Sequence, residues 1–168
     1  NRDEVTADFI FFKFPEQMDF SSRPKAHNFD CEAMIAYDDR LFLFTKNHLD
    51  QQTRLYQLPN EPGNYNATLL QSFATEGLIT GADIDETQKT LYLLGYTEDD
   101  RYRPFLWVFT DFPDSDFFQG AATRIDWTDH RKTEGICFWE NRKCYISSEG
   151  RNVLEEMLYR FDAADWLK

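Results

Sequence analysis

The sequence predicts an all-β fold, and two observations carry this prediction. Aromatic residues make up 17% of the 168 positions, including 16 Phe and 8 Tyr, and such side chains favour pleated, half-buried strands. No segment keeps the i, i+3, i+4, i+7 spacing of an amphipathic helix, with 153–161 as the one weak candidate. Short apolar runs separated by polar turns therefore indicate antiparallel strands.

The composition excludes several classes of protein. With 42% hydrophobic residues, the chain can bury the core of one globular domain. Its 18 basic and 30 acidic residues give a net charge of −12, which repels phosphate backbones, so we expect no nucleic-acid partner. No apolar run approaches the roughly 18 residues of a membrane-spanning helix, so we expect no transmembrane segment. The chain begins at Asn1 without a Met, so we expect that a signal peptide or another upstream segment has been removed.

A unit of about fifty residues occurs three times along the chain. Its clearest member is an apolar strand, which begins at Leu41, Leu91 and Cys144. Polar turns rich in Asp and Asn precede these strands, so each unit starts with a hairpin. A third, aromatic strand follows each hairpin, at 53–58, 104–109 and 157–161, and a fourth, weaker strand follows in the first two units, at 67–73 and 121–127.

Four strands in a unit of about fifty residues is the pattern of a β-propeller blade. We expect three blades, at 28–78, 79–129 and 130–168, the last of which lacks its outer strand. Residues 1–27 contain an aromatic run at 7–14, predicted as the outer strand of a preceding or closing blade. Closed propellers have about four to eight blades. The chain is therefore predicted to be a partial ring or fragment, completed by the remainder of its own propeller or by a partner chain. A β-sandwich with hairpins of similar length is the alternative.

A carboxylate precedes the apolar strand at a similar point in each unit, at Glu32, Asp83 and Glu134. The innermost strand of a propeller blade lines the central channel, so we expect these three residues at one channel mouth, with Asp30 beside the first. A second equivalent set ends the apolar strands and is expected to face the same rim. Its members are Lys46, Tyr96 and Glu149.

Carboxylates packed into a ring repel one another unless a cation or a basic side chain neutralises them. Oxygen ligands suit Ca²⁺, which makes Glu32, Asp83 and Glu134 the candidate metal ligands and Ca²⁺ the candidate cofactor. The alternative is structural, with the carboxylates paired to Lys46, Lys132 or Arg131.

These residues favour a binding or interaction module whose acidic channel mouth binds a cation or a small cationic ligand. The alternative function is a metal-dependent hydrolase that acts on an ester or phosphate compound at the same mouth. The sequence lacks the nucleophile elbow, the phosphate-binding loop, the dinucleotide fingerprint and the zinc-protease helix motif, so binding is preferred over catalysis. A third option is a component of a surface protein complex.

One connection and one cysteine pair leave two interpretations open. The acidic, aromatic loop 111–118 either binds a partner or caps the fold, with Phe117 and Phe118 folded back into the interface between blades. A two-residue turn at 140–141 would place Cys137 opposite Cys144, as a cross-strand disulfide or as two buried thiols.

Several stretches resemble a known group of proteins. They are NFDCEAM, LFLFTKN, GLITGADID, LLGY, DFFQG and TEGICF followed by YISSE, and they span nearly the whole chain. They are similar to the secreted or lipid-anchored β-propeller proteins of Bacteroidota in the SdiA-regulated and phytase-like propeller group. The resemblance implies an extracytoplasmic location, a ring of about six blades, and Ca²⁺ in the channel. In that group a Glu opens the inner strand, which matches Glu32 and Glu134, whereas Asp83 departs from the pattern.

Overall fold

The computed structural model describes residues 6–21, 25–99, 102–140, 142–150 and 154–166. In these residues the regular structure consists of β-strands and two 3₁₀ turns, at Phe117–Gln119 and Ala163–Asp165, which confirms the predicted all-β class. No helix in the described part of the chain has the length and apolar character needed to cross a membrane.

Three antiparallel sheets follow one another along the chain. The first sheet runs in the order β2 (Asp30–Tyr37), β3 (Arg40–Lys46), β4 (Gln52–Pro59) and β6 (Thr68–Ala74). The second sheet runs in the order β7 (Leu78–Asp85), β8 (Thr90–Tyr96), β9 (Pro104–Thr110) and β10 (Ala121–Asp126). The third sheet contains β11 (Thr133–Glu140), β12 (Lys143–Ser148) and β13 (Met157–Asp162).

Tight turns set the register of these sheets. Asp38 and Asp39 both have positive φ, at 49° and 56°, which is the backbone of a two-residue type I′ hairpin turn. Aspartate tolerates this conformation better than most residues do, so the sequence selects the turn between β2 and β3.

The aromatic N-terminal strand pairs outside the three antiparallel sheets. β1 (Ile10–Lys13) pairs in parallel with β5 (Gly63–Asn66), a short strand between β4 and β6. It therefore lies on the first sheet, on the face away from the second sheet. Its assignment as the outer strand of a preceding or closing blade stays a prediction. Phe14 anchors the segment, because its ring lies 4.6 Å from that of Tyr56, which is fully buried.

The sheets pack face to face in chain order. β2 packs against β7, and β7 packs against β11, so the first strand of each sheet meets the first strand of the next. One apolar cluster fills the space between the first and second sheets, with Phe42 and Phe109 fully buried. A second cluster fills the space between the second and third sheets around Leu106 and Ile146. Phe117 is fully buried and Phe118 packs against the first cluster, which confirms the capping interpretation of loop 111–118.

The cysteine pair takes neither predicted form. Cys137 lies opposite Tyr145, and Cys144 lies opposite Phe138, because a bulge between Phe138 and Glu140 shifts the register. The two side chains therefore face opposite sides of the sheet: Cys137 is an exposed free thiol and Cys144 a buried one. Burial raises the pKa of the Cys144 thiol to about 12. The predicted turn includes residue 141, which lies outside the described residues.

Candidate functional site

The first strand of each sheet carries a β-bulge at the same place. The ladder skips one residue in β2, β7 and β11, and the skipped residues are Glu32, Thr80 and Glu134. A bulge turns a side chain away from the regular alternation and ends regular pairing, so it aims these three residues along the end of the sheet.

This register corrects the place of Asp83 in the repeat. The structural equivalent of Glu32 and Glu134 in the second sheet is Thr80, whereas Asp83 lies three residues further along β7. Asp83 instead joins two sheets, because its Oδ2 accepts a hydrogen bond of 2.6 Å from the backbone N–H of Phe138. Its Oδ1 accepts one of 2.8 Å from the N–H of Ile84. Both carboxylate oxygens thus have backbone donors.

The second predicted set does come together. Lys46 lies opposite Asp30 and Tyr96 lies opposite Leu78, while the N–H of Glu149 donates to the carbonyl of Lys132. Lys46 and Tyr96 end the second strands of their sheets, and Glu149 directly follows the second strand of the third sheet. All three line one cleft of about 520 Å³. We call it the rim cleft and define it by Asp30, Lys46, His48, Tyr96, Glu98, Lys132 and Glu149.

Lys46 is the most buried cation of the rim cleft. Its side chain is 6% exposed, and its Nζ donates a hydrogen bond of 2.8 Å to Glu32 Oε2. The same Nζ lies 5.4 Å from the centre of the Tyr96 ring, within cation–π range. Burial alone would lower the pKa of Lys46, but the hydrogen bond to Glu32 and the nearby Tyr96 outweigh it, so the pKa is raised.

Lys132 is a second lysine near the Tyr96 ring. Its Nζ lies 5.6 Å from the Tyr96 ring centre, 2.7 Å from Glu149 Oε1 and 3.4 Å from Glu134 Oε1. The contact with Glu149 is a hydrogen bond, while Glu134 Oε1 is buried without a hydrogen-bond partner. Burial therefore raises the pKa of Glu134, opposed by Lys132 and reinforced by Glu149.

A histidine joins the first and second sheets at the cleft. His48 follows β3, its side chain is 8% exposed, and its Nδ1 lies 3.0 Å from Glu98 Oε1 in the second sheet's loop. Its Nε2 lies 3.7 Å from Asp30 Oδ2. Neither His48 nor Glu98 is identified by the sequence, because nothing in the local sequence links two residues fifty positions apart.

The carboxylates do not gather into a metal site. Among the described residues, no group of three or more His, Cys, Asp or Glu side chains could hold a metal ion. Glu32 and Glu134 each lie beside a lysine, and both oxygens of Asp83 have backbone donors. The predicted Ca²⁺ site stays a prediction. The structure contains ion pairs of the kind that the sequence offered as the alternative to a metal. Glu32 pairs with Lys46, and Glu134 and Glu149 pair with Lys132. Arg131 instead donates to the carbonyl of Glu155.

Substitution of Glu134 by glutamine should raise the melting temperature slightly at neutral pH. The raised pKa means that the folded protein binds this proton more tightly than the unfolded chain does. The group's contribution to stability is therefore largest at low pH. It declines as pH rises from the ordinary Glu value, about 4.3, through the raised folded pKa. Melting curves across this pH range should converge for wild type and Glu134→Gln in acid.

Glu32→Gln is the matched control for this pH series. Glu32 accepts a hydrogen bond from Lys46, so its substitution should lower the melting temperature at neutral pH. Equal losses in both variants at neutral pH would show that the attraction of Lys132 outweighs the burial of Glu134.

In comparisons with known proteins, no family model, no curated protein and no solved structure matches this chain. The resemblance to phytase-like propellers therefore stays a prediction.

Proposed function

We propose that this protein is a binding module of the β-propeller type, with the three sheets as successive blades around a channel. The order of contacts supports this arrangement, because the first strand of each sheet packs against the first strand of the next. The equivalent bulges in β2, β7 and β11 support it further, since they repeat one strand-end geometry around a common edge.

The proposed binding site is the rim cleft. The observation that carries it is the convergence of Lys46, Tyr96 and Glu149, which occupy the strand end in three successive sheets, on one cleft. Its volume of about 520 Å³ suits a small organic molecule. These equivalent positions carry three different side chains: a lysine, a tyrosine and a glutamate. A few polar groups of different chemistry give a pocket its specificity.

A small organic cation is the ligand class that the charges favour. Each lysine at the cleft already has a carboxylate partner: Lys46 has Glu32, Lys132 has Glu149, and Lys25 lies 3.7 Å from Glu98. When Glu32 and Glu134, which lie beside its lysines, are counted with the lining residues Asp30, Glu98 and Glu149, five carboxylates stand against three lysines. An ammonium group donates in several directions and can share carboxylates that are already paired, whereas Ca²⁺ needs six to eight converging oxygens.

Thermal melts with the diamine putrescine test this proposal. A ligand that binds the folded state alone stabilises it by about 2.7 kcal/mol at a hundredfold excess over the dissociation constant. For a chain of this size, that corresponds to a rise in melting temperature of roughly 5–10 °C. The rise should be lost in the double variant Asp30→Asn/Glu149→Gln.

The control variant is Asp114→Asn/Asp116→Asn, which removes the same charge from exposed positions in the loop after β9. It should keep the full putrescine response. Stabilisation by inorganic phosphate in place of putrescine would show that the site binds an anion, and it would reject a cationic ligand. Stabilisation by Ca²⁺ alone, abolished by a chelator, would reject an organic ligand and reopen the metal-dependent alternative.

A further inference from the structure

The third sheet has an uncovered face that matches a buried face of the other two. In register, Leu55 of β4 lies opposite Phe44, Leu106 of β9 lies opposite Leu94, and Leu158 of β13 lies opposite Ser147. Phe44, Leu94 and Ser147 each lie two residues before the equivalent rim residues Lys46, Tyr96 and Glu149, so the three leucines opposite them are also equivalent. Leu55 and Leu106 are fully buried, whereas Leu158 is 69% exposed.

The neighbours of Leu158 repeat this contrast. Tyr145 of the third sheet is equivalent to Phe42 of the first sheet and Tyr92 of the second. Phe42 and Tyr92 are fully buried, whereas Tyr145 is half-buried. Trp139 on β11 is 57% exposed and lies beside Tyr145, with ring centres 5.9 Å apart. In the first two sheets this face is covered by the next sheet along the chain. The exposed face of the third sheet is thus a continuation of an interface that the chain builds twice.

The opposite end of the series of sheets is also apolar. β1 covers part of the outer face of the first sheet and leaves Phe9, Phe11 and Phe12 exposed, at 66%, 58% and 43%. A single chain therefore has two exposed apolar ends, and large exposed apolar patches mark interaction sites. Inside the chain, the face equivalent to that of Leu158 packs against the opposite face of the next sheet, and in the first sheet the β1 segment lies on that opposite face.

We propose that a second copy of this chain covers both ends at once, so that two chains close into one ring of six sheets. The third sheet of each chain would dock against the first-sheet end of its partner, related by a twofold axis. Six sheets lie within the range of about four to eight blades that closed propellers use. The inference rests on the proposed propeller arrangement, and it is independent of what the rim cleft binds.

The oligomeric state in solution tests the ring. Sedimentation velocity should give twice the chain mass of 20.0 kDa, and the mass should stop rising once the dimer forms. Leu158→Lys places a charge on the exposed face without disturbing the interior of one chain, so it should give a monomer with an unchanged circular dichroism spectrum. Gln119→Lys adds the same charge at an exposed position away from both ends and should remain dimeric.

The thiol of Cys137 gives a second readout on the same face, because it is exposed in a single chain. Alkylation of Cys137 by iodoacetamide should be several-fold slower in the dimer and should recover in Leu158→Lys. A monomer at all concentrations overturns the inference, and so does an assembly that grows without limit, since either shows that two copies do not close a ring. The rim cleft lies within one chain, so a putrescine response in monomeric Leu158→Lys would separate this failure from failure of the proposed binding function.

Discussion

Substitution of Phe117 by alanine should lower the free energy of unfolding by about 3–5 kcal/mol. The side chain is fully buried, and its ring meets those of Phe42 at 5.1 Å and Phe112 at 5.0 Å in edge-on geometry. It reaches from the loop after β9 into the first sheet, so its removal opens a cavity at the contact between two sheets. Packed neighbours relax only partly around such a cavity.

The melting temperature of Phe117→Ala should fall by roughly 6–20 °C, given the usual conversion for a chain of this length. Phe20→Ala is the matched control, because this ring is 73% exposed and its truncation should change the free energy of unfolding by less than about 0.5 kcal/mol. A small loss at Phe117 would mean that loop 111–118 is not part of the folded core.

The strands were predictable from the sequence because local signals determine them. Aromatic and β-branched runs bounded by Asp-rich turns identify β3, β8 and β9 without any knowledge of the fold, and the dihedral tolerance of Asp38 and Asp39 fixes the first hairpin. The capping role of Phe117 was one of the two interpretations that the sequence left open, since an acidic loop with two adjacent phenylalanines has an apolar group to bury.

The bulges were not predictable from the sequence, and they determine which residues occupy equivalent positions in the three sheets. An extra residue in one strand shifts the register by one, which a count of residues along the sequence cannot detect. The turn between β7 and β8 has four residues, whereas the turn between β2 and β3 has two. Even spacing of about fifty residues therefore selected Asp83, whereas the ladder selects Thr80. The hydroxyl of Thr80 donates a hydrogen bond of 2.7 Å to the carbonyl of Thr133, a contact between two sheets that no pattern in either strand reveals.

Long-range pairing explains the other differences. β1 and β5 are short and lie about fifty residues apart, and parallel pairing between them leaves no turn signal in the sequence. The hydrogen bond between His48 and Glu98 joins loops of different sheets, and it also leaves no signal in the sequence. By contrast, Lys46 and Tyr96 end strands of seven residues, and Glu149 follows a strand of six residues. Their position in the repeat could therefore be predicted by counting from the start of each apolar strand.

Replacement of Lys46 by methionine should lower the free energy of unfolding by about 2–3 kcal/mol, the range expected for a hydrogen bond to a charged group in a partly buried site. Methionine keeps the unbranched stem that packs beside Tyr96 but removes the donor to Glu32. The Glu32 side chain is 33% exposed, so water can partly replace the lost partner, and the loss falls below that for a fully buried pair.

Two comparisons make this prediction specific. In Lys46→Met/Glu32→Gln no unpaired charge remains, so the double variant should be more stable than Lys46→Met alone. Lys132→Met removes a more exposed cation, 26% against 6%, and should cost about 1 kcal/mol or less. Equal losses for the two lysines would contradict the view that burial, and not charge count, determines the importance of each ion pair at the rim.

Alkaline pH provides an independent check on Lys46. Its pKa is raised in the folded protein, so the ion pair contributes its full stability below the ordinary lysine value, about 10.4, and loses it as pH rises through the folded pKa. Wild type should therefore lose more stability than Lys46→Met between neutral pH and strongly alkaline pH, as measured by urea unfolding at each pH. Parallel pH profiles would show that Lys46 titrates alike in both states, and the stabilising role assigned to its pair with Glu32 would then fail even if the variant were less stable for reasons of packing.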